Sequence, residues 1–224
     1  MTVPGLRGGV RPAPAHSLYV RSMHDLASGS TQSEQRQTLD QQGYVVLRGA
    51  VEPPSVRAAL RRLNLAIRQH GLGAEEIAAC QLATFFPHLR WEPEIWGALP
   101  SAAAELLGWQ EGDQWGDPQI LLRFPDQAQP WTLEPHVDTL PPWAQHRGYR
   151  GVVGVALTTA GVEDGAACVW PGSHRGEPAP MTPVALEAGD ALVMHPQLGH
   201  TGTLNLGPTI RTAIYFRLIA PETQ

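Results

Sequence analysis

The sequence predicts an α+β protein, mainly β, with helices from its first half packed on a β-sandwich or barrel. Three observations carry this. Gly (23) and Pro (21) make up about a fifth of the 224 residues, against a usual share of roughly 12%. Hydrophobic residues nevertheless reach 42% and charged residues only 17%, which excludes a disordered chain, since such chains are apolar-poor and charge-rich. Finally, helical periodicity dominates up to Gly108, and short β-type runs between turn clusters dominate after it.

Residues 1–30 mix Gly, Pro, Arg and Ser without periodicity and read as a loose arm; residues 31–224 read as one domain. Thr31 and Glu34 have capping-box spacing, and Gly43 supplies a stop, so a short helix is expected to about Gln42. YVVLRG (44–49) is a compact β-type run. Pro53 and Pro54 open a helix in which Val56, Leu60, Leu63 and Ile67 fall on one face, ended by Gly71. Further helical stretches are expected at 74–84, 93–99 and 101–107. Strands are expected at 118–124, 151–159, 167–170, 190–195 and 210–218, separated by breakers such as PDQAQP, LPPW, PGS and NLGP.

The net charge is −5 and no basic stretch stands out, so nucleic acid is not an expected partner. Cys80 and Cys168 form no CxxC, which gives neither a zinc knuckle nor a disulfide framework. No apolar run has the length of a membrane span, and the first residues lack the apolar core of a signal peptide. The expectation is a cytoplasmic protein acting on a small molecule, away from membranes.

The chemistry concentrates in two places. His136-Val137-Asp138 puts an imidazole and a carboxylate at i and i+2, which share a face in extended chain. MHPQLGHTGTLNLGPTIR contains His195, His200 and Arg211, the last eleven residues after His200. Two histidines and a carboxylate form a facial triad suited to non-heme Fe(II). An arginine inside the apolar run TIRTAIYFRL is costly to bury without an anion, and a guanidinium holds a carboxylate in bidentate fashion. Arg217, in the same run, reads as an edge-strand residue facing water. His195 reads as a residue outside the triad. Ser173 and His174, adjacent in PGSH, read as turn structure rather than as a nucleophile–base pair.

In this order and spacing, the stretches DQQGYVVLRGAVEPPSVRAAL, EPHVDTLPPW, GVALTTAGVEDGAACVWPGSHRG and GDALVMHPQLGHTGTLNLGPTIRTAIYFR resemble the phytanoyl-CoA dioxygenase-like family of Fe(II)/2-oxoglutarate-dependent oxygenases. The resemblance spans roughly residues 38–218. It implies a double-stranded β-helix, a cupin-like jelly roll, with the metal inside one end. It implies His136, Asp138 and His200 as metal ligands. It implies Arg211, and more weakly Gln119, as 2-oxoglutarate contacts. Fe(II), 2-oxoglutarate and O₂ are the implied cofactors. The implied reaction couples decarboxylation of 2-oxoglutarate to hydroxylation of an unactivated C–H bond. Asp138 favours hydroxylation or another oxidation over halogenation, because related halogenases carry a small residue at that position.

The sequence departs from the family at three points. Gly202 and Ala213 stand where many relatives place Ser or Thr, so two helpers for the co-substrate are missing. Gly154 stands where some relatives place Trp, which suggests a roomier site. Arg123, Trp131 and Trp143 are candidates for a substrate pocket, Arg123 for an anionic group on the substrate. Two rival readings stay open: a non-catalytic cupin-like binding protein, against which Arg211 argues, and a zinc hydrolase, for which no general base is evident.

Overall fold

The computed structural model describes residues 31–71, 101–116, 118–125, 135–138 and 147–222. The N-terminal arm, the expected helices at 74–84 and 93–99, and both Trp131 and Trp143 lie outside the described residues. Helix α1 (Gln32–Gln42) begins at the expected capping box: the Glu34 amide donates to Thr31 Oγ1, and the Thr31 amide donates to Glu34 Oε2 at 2.7 Å. Gly43 ends it with φ 83°, its N–H donating to the Leu39 carbonyl. A Cβ there would also lie 2.6 Å from His174 Nδ1 and 2.7 Å from Leu198 Cδ1, so packing and backbone both demand glycine. Strand β1 (Tyr44–Leu47) follows at once.

Helix α2 (Pro53–His70) starts on its two prolines and ends at Gly71, as expected. Its inward face contains Val56, Ala59, Leu63 and Ala66, with Leu60 and Ile67 half-buried at its edge. Each large side chain buried there contributes about 1.5–3 kcal/mol. Helix α3 (Ser101–Leu106) buries Ala103 and Leu106.

The strands are β2 (Gln114–Trp115), β3 (Gln119–Arg123), β4 (Arg147–Ala156), β5 (Ala167–Val169), β6 (Thr182–Val184), β7 (Ala191–Met194), β8 (His200–Gly202) and β9 (Arg211–Glu222). They form two antiparallel sheets. The larger runs β1-β7-β4-β9-β2, with β3 also paired to β9; the smaller runs β6-β5-β8. Strands β2, β6 and β8 are additions to the expected set, and β9 continues past residue 218 to Glu222 along β4.

The larger sheet is buried on both faces, which explains why its strands read as unbroken apolar runs. Val45, Leu47, Val153, Val155, Val193, Ile214 and Phe216 meet the helices. Tyr44, Val46, Val152, Leu192, Met194 and Tyr215 face Val169, Val184 and Leu198 on the side of the smaller sheet. Alternation along β3 and β9 therefore places Gln119, Leu121 and Arg123, and Arg211, Ala213, Tyr215 and Arg217, on the inner face between the sheets. Among the described residues no helix is long and apolar enough to cross a membrane.

Candidate functional site

His136 and His200 are joined by an isolated antiparallel bridge. The His136 amide donates to the His200 carbonyl at 3.0 Å, and the His200 amide to the His136 carbonyl at 2.9 Å. This bridge, rather than a full strand, turns His136 and Asp138 toward β8. One ligand atom from each of His136, Asp138 and His200 lies within 4.8 Å of the others, a donor set of two nitrogens and one oxygen that could hold a metal ion.

Surrounding groups fix two of these side chains. His200 Nδ1 lies 3.0 Å from the Leu198 carbonyl, which leaves Nε2 to face Asp138 Oδ2 at 3.9 Å. Burial lowers the His200 pKa, against the opposing pull of Asp138; a neutral imidazole is the ligating form. The loop before His200 is clamped as well. The Gly199 amide donates to Ser173 Oγ at 2.8 Å, and its carbonyl accepts from the Trp170 amide at 2.9 Å. Ser173 and His174 therefore form turn structure, as the sequence indicated: His174 Nε2 sits 3.1 Å from the Asp40 carbonyl, far from a nucleophile–base arrangement with Ser173. His195 lies apart from the triad, against His174 with ring centroids 4.7 Å apart and planes tilted by 45°.

Arg217 is a correction. It was expected to face water, but it is half-buried in the site and donates to Asp138 Oδ1 and to Gln119 Oε1, both at 2.9 Å. It shares sequence parity with Arg211, so the strand that buries one must turn the other to the same face. Tyr149 was missed altogether. Its hydroxyl lies 3.4 Å from Asp138 Oδ2, and burial, then the charge of Asp138, push its pKa up, so it stays a neutral phenol.

His136, Asp138, His200, Gln119 and Arg217 line a cavity of about 200 Å³ together with Arg123, Arg211 and Tyr215. The expectation that Gly154 enlarges the site is overturned: the ring of Tyr215 packs directly against Gly154 and takes that space. The Thr203 hydroxyl donates to the Ala166 carbonyl at 3.1 Å. Arg211 is 4% exposed; its Nε donates to the Gly165 carbonyl at 2.7 Å, and its Nη1 is buried without a hydrogen-bond partner. Arg123, 8% exposed, is its direct partner across the β3–β9 ladder. Asp138 is the only carboxylate among the described residues of the lining.

Residues 119–213 match the family model described as phytanoyl-CoA dioxygenase (PhyH). Several solved structures share the fold. The non-heme alpha ketoglutarate dependent carbocyclase SnoK from nogalamycin biosynthesis is 18% identical, with a TM-score of 0.65 over 85% of this chain and 86% of that one. EvdO2 from Micromonospora carbonacea var. aurantiaca, complexed with 2-oxoglutarate, is 18% identical, with a TM-score of 0.65 over 88% of this chain and 94% of that one. The epimerase SnoN in complex with Fe3+, alpha ketoglutarate and nogalamycin RO is 18% identical, with a TM-score of 0.61 over 84% and 83%. No curated protein matches the chain closely in sequence. The two sheets thus form the jelly roll that the sequence led one to expect.

Proposed function

We propose, from the match of residues 119–213 to the phytanoyl-CoA dioxygenase family model, that this chain is a non-heme Fe(II)- and 2-oxoglutarate-dependent dioxygenase. Its reaction takes a small molecule, O₂ and 2-oxoglutarate to a hydroxylated product, succinate and CO₂. One observation carries this reading. A two-histidine, one-carboxylate donor set and a buried arginine with an unpartnered Nη1 line the same small cavity.

The donor set fits a metal of this kind, being nitrogen and oxygen with no thiolate. His136, Asp138 and His200 would hold Fe(II), which supplies, with 2-oxoglutarate and O₂, the oxidising power that no side chain has. The chain's residues do the positioning. Leu198 fixes the ring of His200 through Nδ1. Arg217 occupies Asp138 Oδ1, and Oδ2, on the side of His200 and also touched by the Tyr149 hydroxyl, would meet the metal. Arg211 offers its free Nη1 to the distal carboxylate of 2-oxoglutarate. Gln119, its amide oxygen taken by Arg217, offers only N–H groups to a ligand. Plain metal storage would need no unpaired buried guanidinium, and a hydrolase would need a general base for which the described lining has no spare carboxylate.

Purified protein given Fe(II), ascorbate and 2-oxoglutarate is expected to release succinate slowly, and faster with a substrate that gains one oxygen in mass. His136→Ala is expected to lose the metal; Arg211→Ala is expected to keep it and lose 2-oxoglutarate. Metal-loaded protein that neither binds nor consumes 2-oxoglutarate overturns this reading.

A further inference from the structure

Arg123 and Arg211 stand directly opposite each other in the β3–β9 ladder, on the face that lines the cavity. Like charges directly opposite in a sheet are destabilising, and burying them compounds the cost. Arg217, in the same cavity, is paired with Asp138, whereas no described carboxylate pairs with Arg123 or Arg211. The two are nevertheless held in place. Arg211 Nε donates to the Gly165 carbonyl, and the stem of Arg123 crosses the same glycine so closely that a Cβ there would lie 2.7 Å from Arg123 Cγ. The Asn205 amide group donates to the carbonyls of Arg123 and Thr209, at 2.7 Å each, fixing the end of β3 against the segment that leads into β9. Burial and the charge of Arg211 push Arg123 down to about 10, which still leaves it protonated at neutral pH. Two cations thus line one small space, and among the described residues of its lining no carboxylate is left to neutralise them.

We propose that Arg123 is a second anchor for the distal carboxylate of 2-oxoglutarate, so that Arg123 and Arg211 form a two-arginine clamp. The proposal rests on the reading that this cavity binds 2-oxoglutarate, and it moves Arg123 from the substrate pocket expected for it to the co-substrate. It also accounts for the two missing hydroxyls. Gly202 and Ala213 offer the carboxylate no O–H, and Ala213 pairs with Leu121 beside the Arg123–Arg211 rung, so a second guanidinium supplies the donors instead. The clamp makes the site demanding of charge at the far end of the co-substrate. A 2-oxo acid of the same length without the second carboxylate gains nothing from either arginine.

The test uses the full chain loaded with Mn(II) and measures equilibrium binding of 2-oxoglutarate and of 2-oxopentanoate, its analogue lacking the distal carboxylate. Arg123→Gln and Arg123→Lys are compared with the wild type. The expected result is a weakening of 2-oxoglutarate binding by about ten- to hundredfold in Arg123→Gln, the loss typical of a charge-assisted hydrogen bond, and a smaller loss in Arg123→Lys, with 2-oxopentanoate binding unchanged in both. Because the substitution removes a buried, repelled cation, Arg123→Gln is expected to keep or raise the melting temperature of the ligand-free protein while losing most of the rise that 2-oxoglutarate induces. Unchanged 2-oxoglutarate affinity in both variants overturns the clamp and leaves the oxygenase reading standing, as does an equal loss for both ligands. A wild type that binds neither ligand overturns the oxygenase reading and the clamp with it.

Discussion

Arg217 donates to Asp138 Oδ1 at 2.9 Å, while Oδ2, which accepts from the Tyr149 hydroxyl at 3.4 Å, is turned toward His200. The same Nη2 also reaches Gln119 Oε1, so a single guanidinium orders a ligand from the loop and an amide from β3. Arg217→Lys keeps the charge and removes the fork, which separates geometry from electrostatics. Partners that orient metal ligands typically account for 10- to 100-fold in affinity. Arg217→Lys is expected to weaken metal binding by about tenfold, read by competition with a chelator. An affinity equal to the wild type's would show that the Arg217–Asp138 pair does not position the ligand.

Ser173 acts on His200 through the backbone. Its hydroxyl accepts the Gly199 N–H, one residue before the ligand. Ser173→Ala leaves that amide without its partner and is expected to lower stability by about 1–2 kcal/mol in urea unfolding, with severalfold weaker metal binding. Ser173→Thr, which retains the acceptor, is expected to restore both. Complete loss of turnover in Ser173→Ala with metal binding intact would point instead to a chemical role for the hydroxyl.

Local signals were legible in the sequence and long-range ones were not. The capping box at Thr31, the left-handed stop at Gly43 and the Pro-led helix at Pro53 depend on residues a few positions apart, and all are found where the spacing puts them. The apolar strands were legible because burial on both faces leaves them no polar alternation to interrupt. Strands β6 and β8 are three residues each and half polar; their pairing is imposed by β5 from far along the chain. Arg217 was misread by treating β9 as having a water-facing side, although its parity with Arg211 was a usable signal. Tyr149 gave no such signal. Register shifts on both sides of it, between Arg147 and Gly151, break the alternation that would have aimed it. The cluster of His136, Asp138 and His200 was legible because its residues sit in two short motifs; that Arg123 lies beside Arg211 required the ladder register.

Cys168 is 1% exposed on β5, and burial pushes its thiol up to about 11. The unfolded thiol ionises first as pH rises past its ordinary value near 9, so the unfolded state then binds fewer protons and stability falls. The fall is expected between about pH 9 and 11 and levels off once the folded thiol also ionises. Cys168→Ala is expected to lack this component, whatever its absolute stability, when unfolding curves are compared across that range. In a Cys80→Ser background at pH 8, a thiol reagent is expected to react with Cys168 only as fast as the protein opens. Immediate reaction in the folded state would contradict the burial.

Gly165 joins the two arginines of the proposed clamp without carrying any charge. Its φ is 77°, its carbonyl holds Arg211 Nε, and a Cβ on it would meet both Arg123 Cγ at 2.7 Å and Asn205 Cβ at 3.3 Å. Gly165→Ala forces a left-handed alanine, at a cost of about 1–2 kcal/mol, and displaces the Arg123 stem while leaving the guanidinium in the chain. The metal ligands do not touch this residue, so metal affinity is expected to be unchanged. Affinity for 2-oxoglutarate is expected to fall by about tenfold or more, toward that of Arg123→Gln. The double substitution separates the routes. If the glycine acts by placing Arg123, Gly165→Ala adds little to the loss already caused by Arg123→Gln, and the two effects are strongly non-additive. Full additivity in 2-oxoglutarate binding would mean that Gly165 serves Arg211 alone, and that the two arginines do not share the seat this glycine provides.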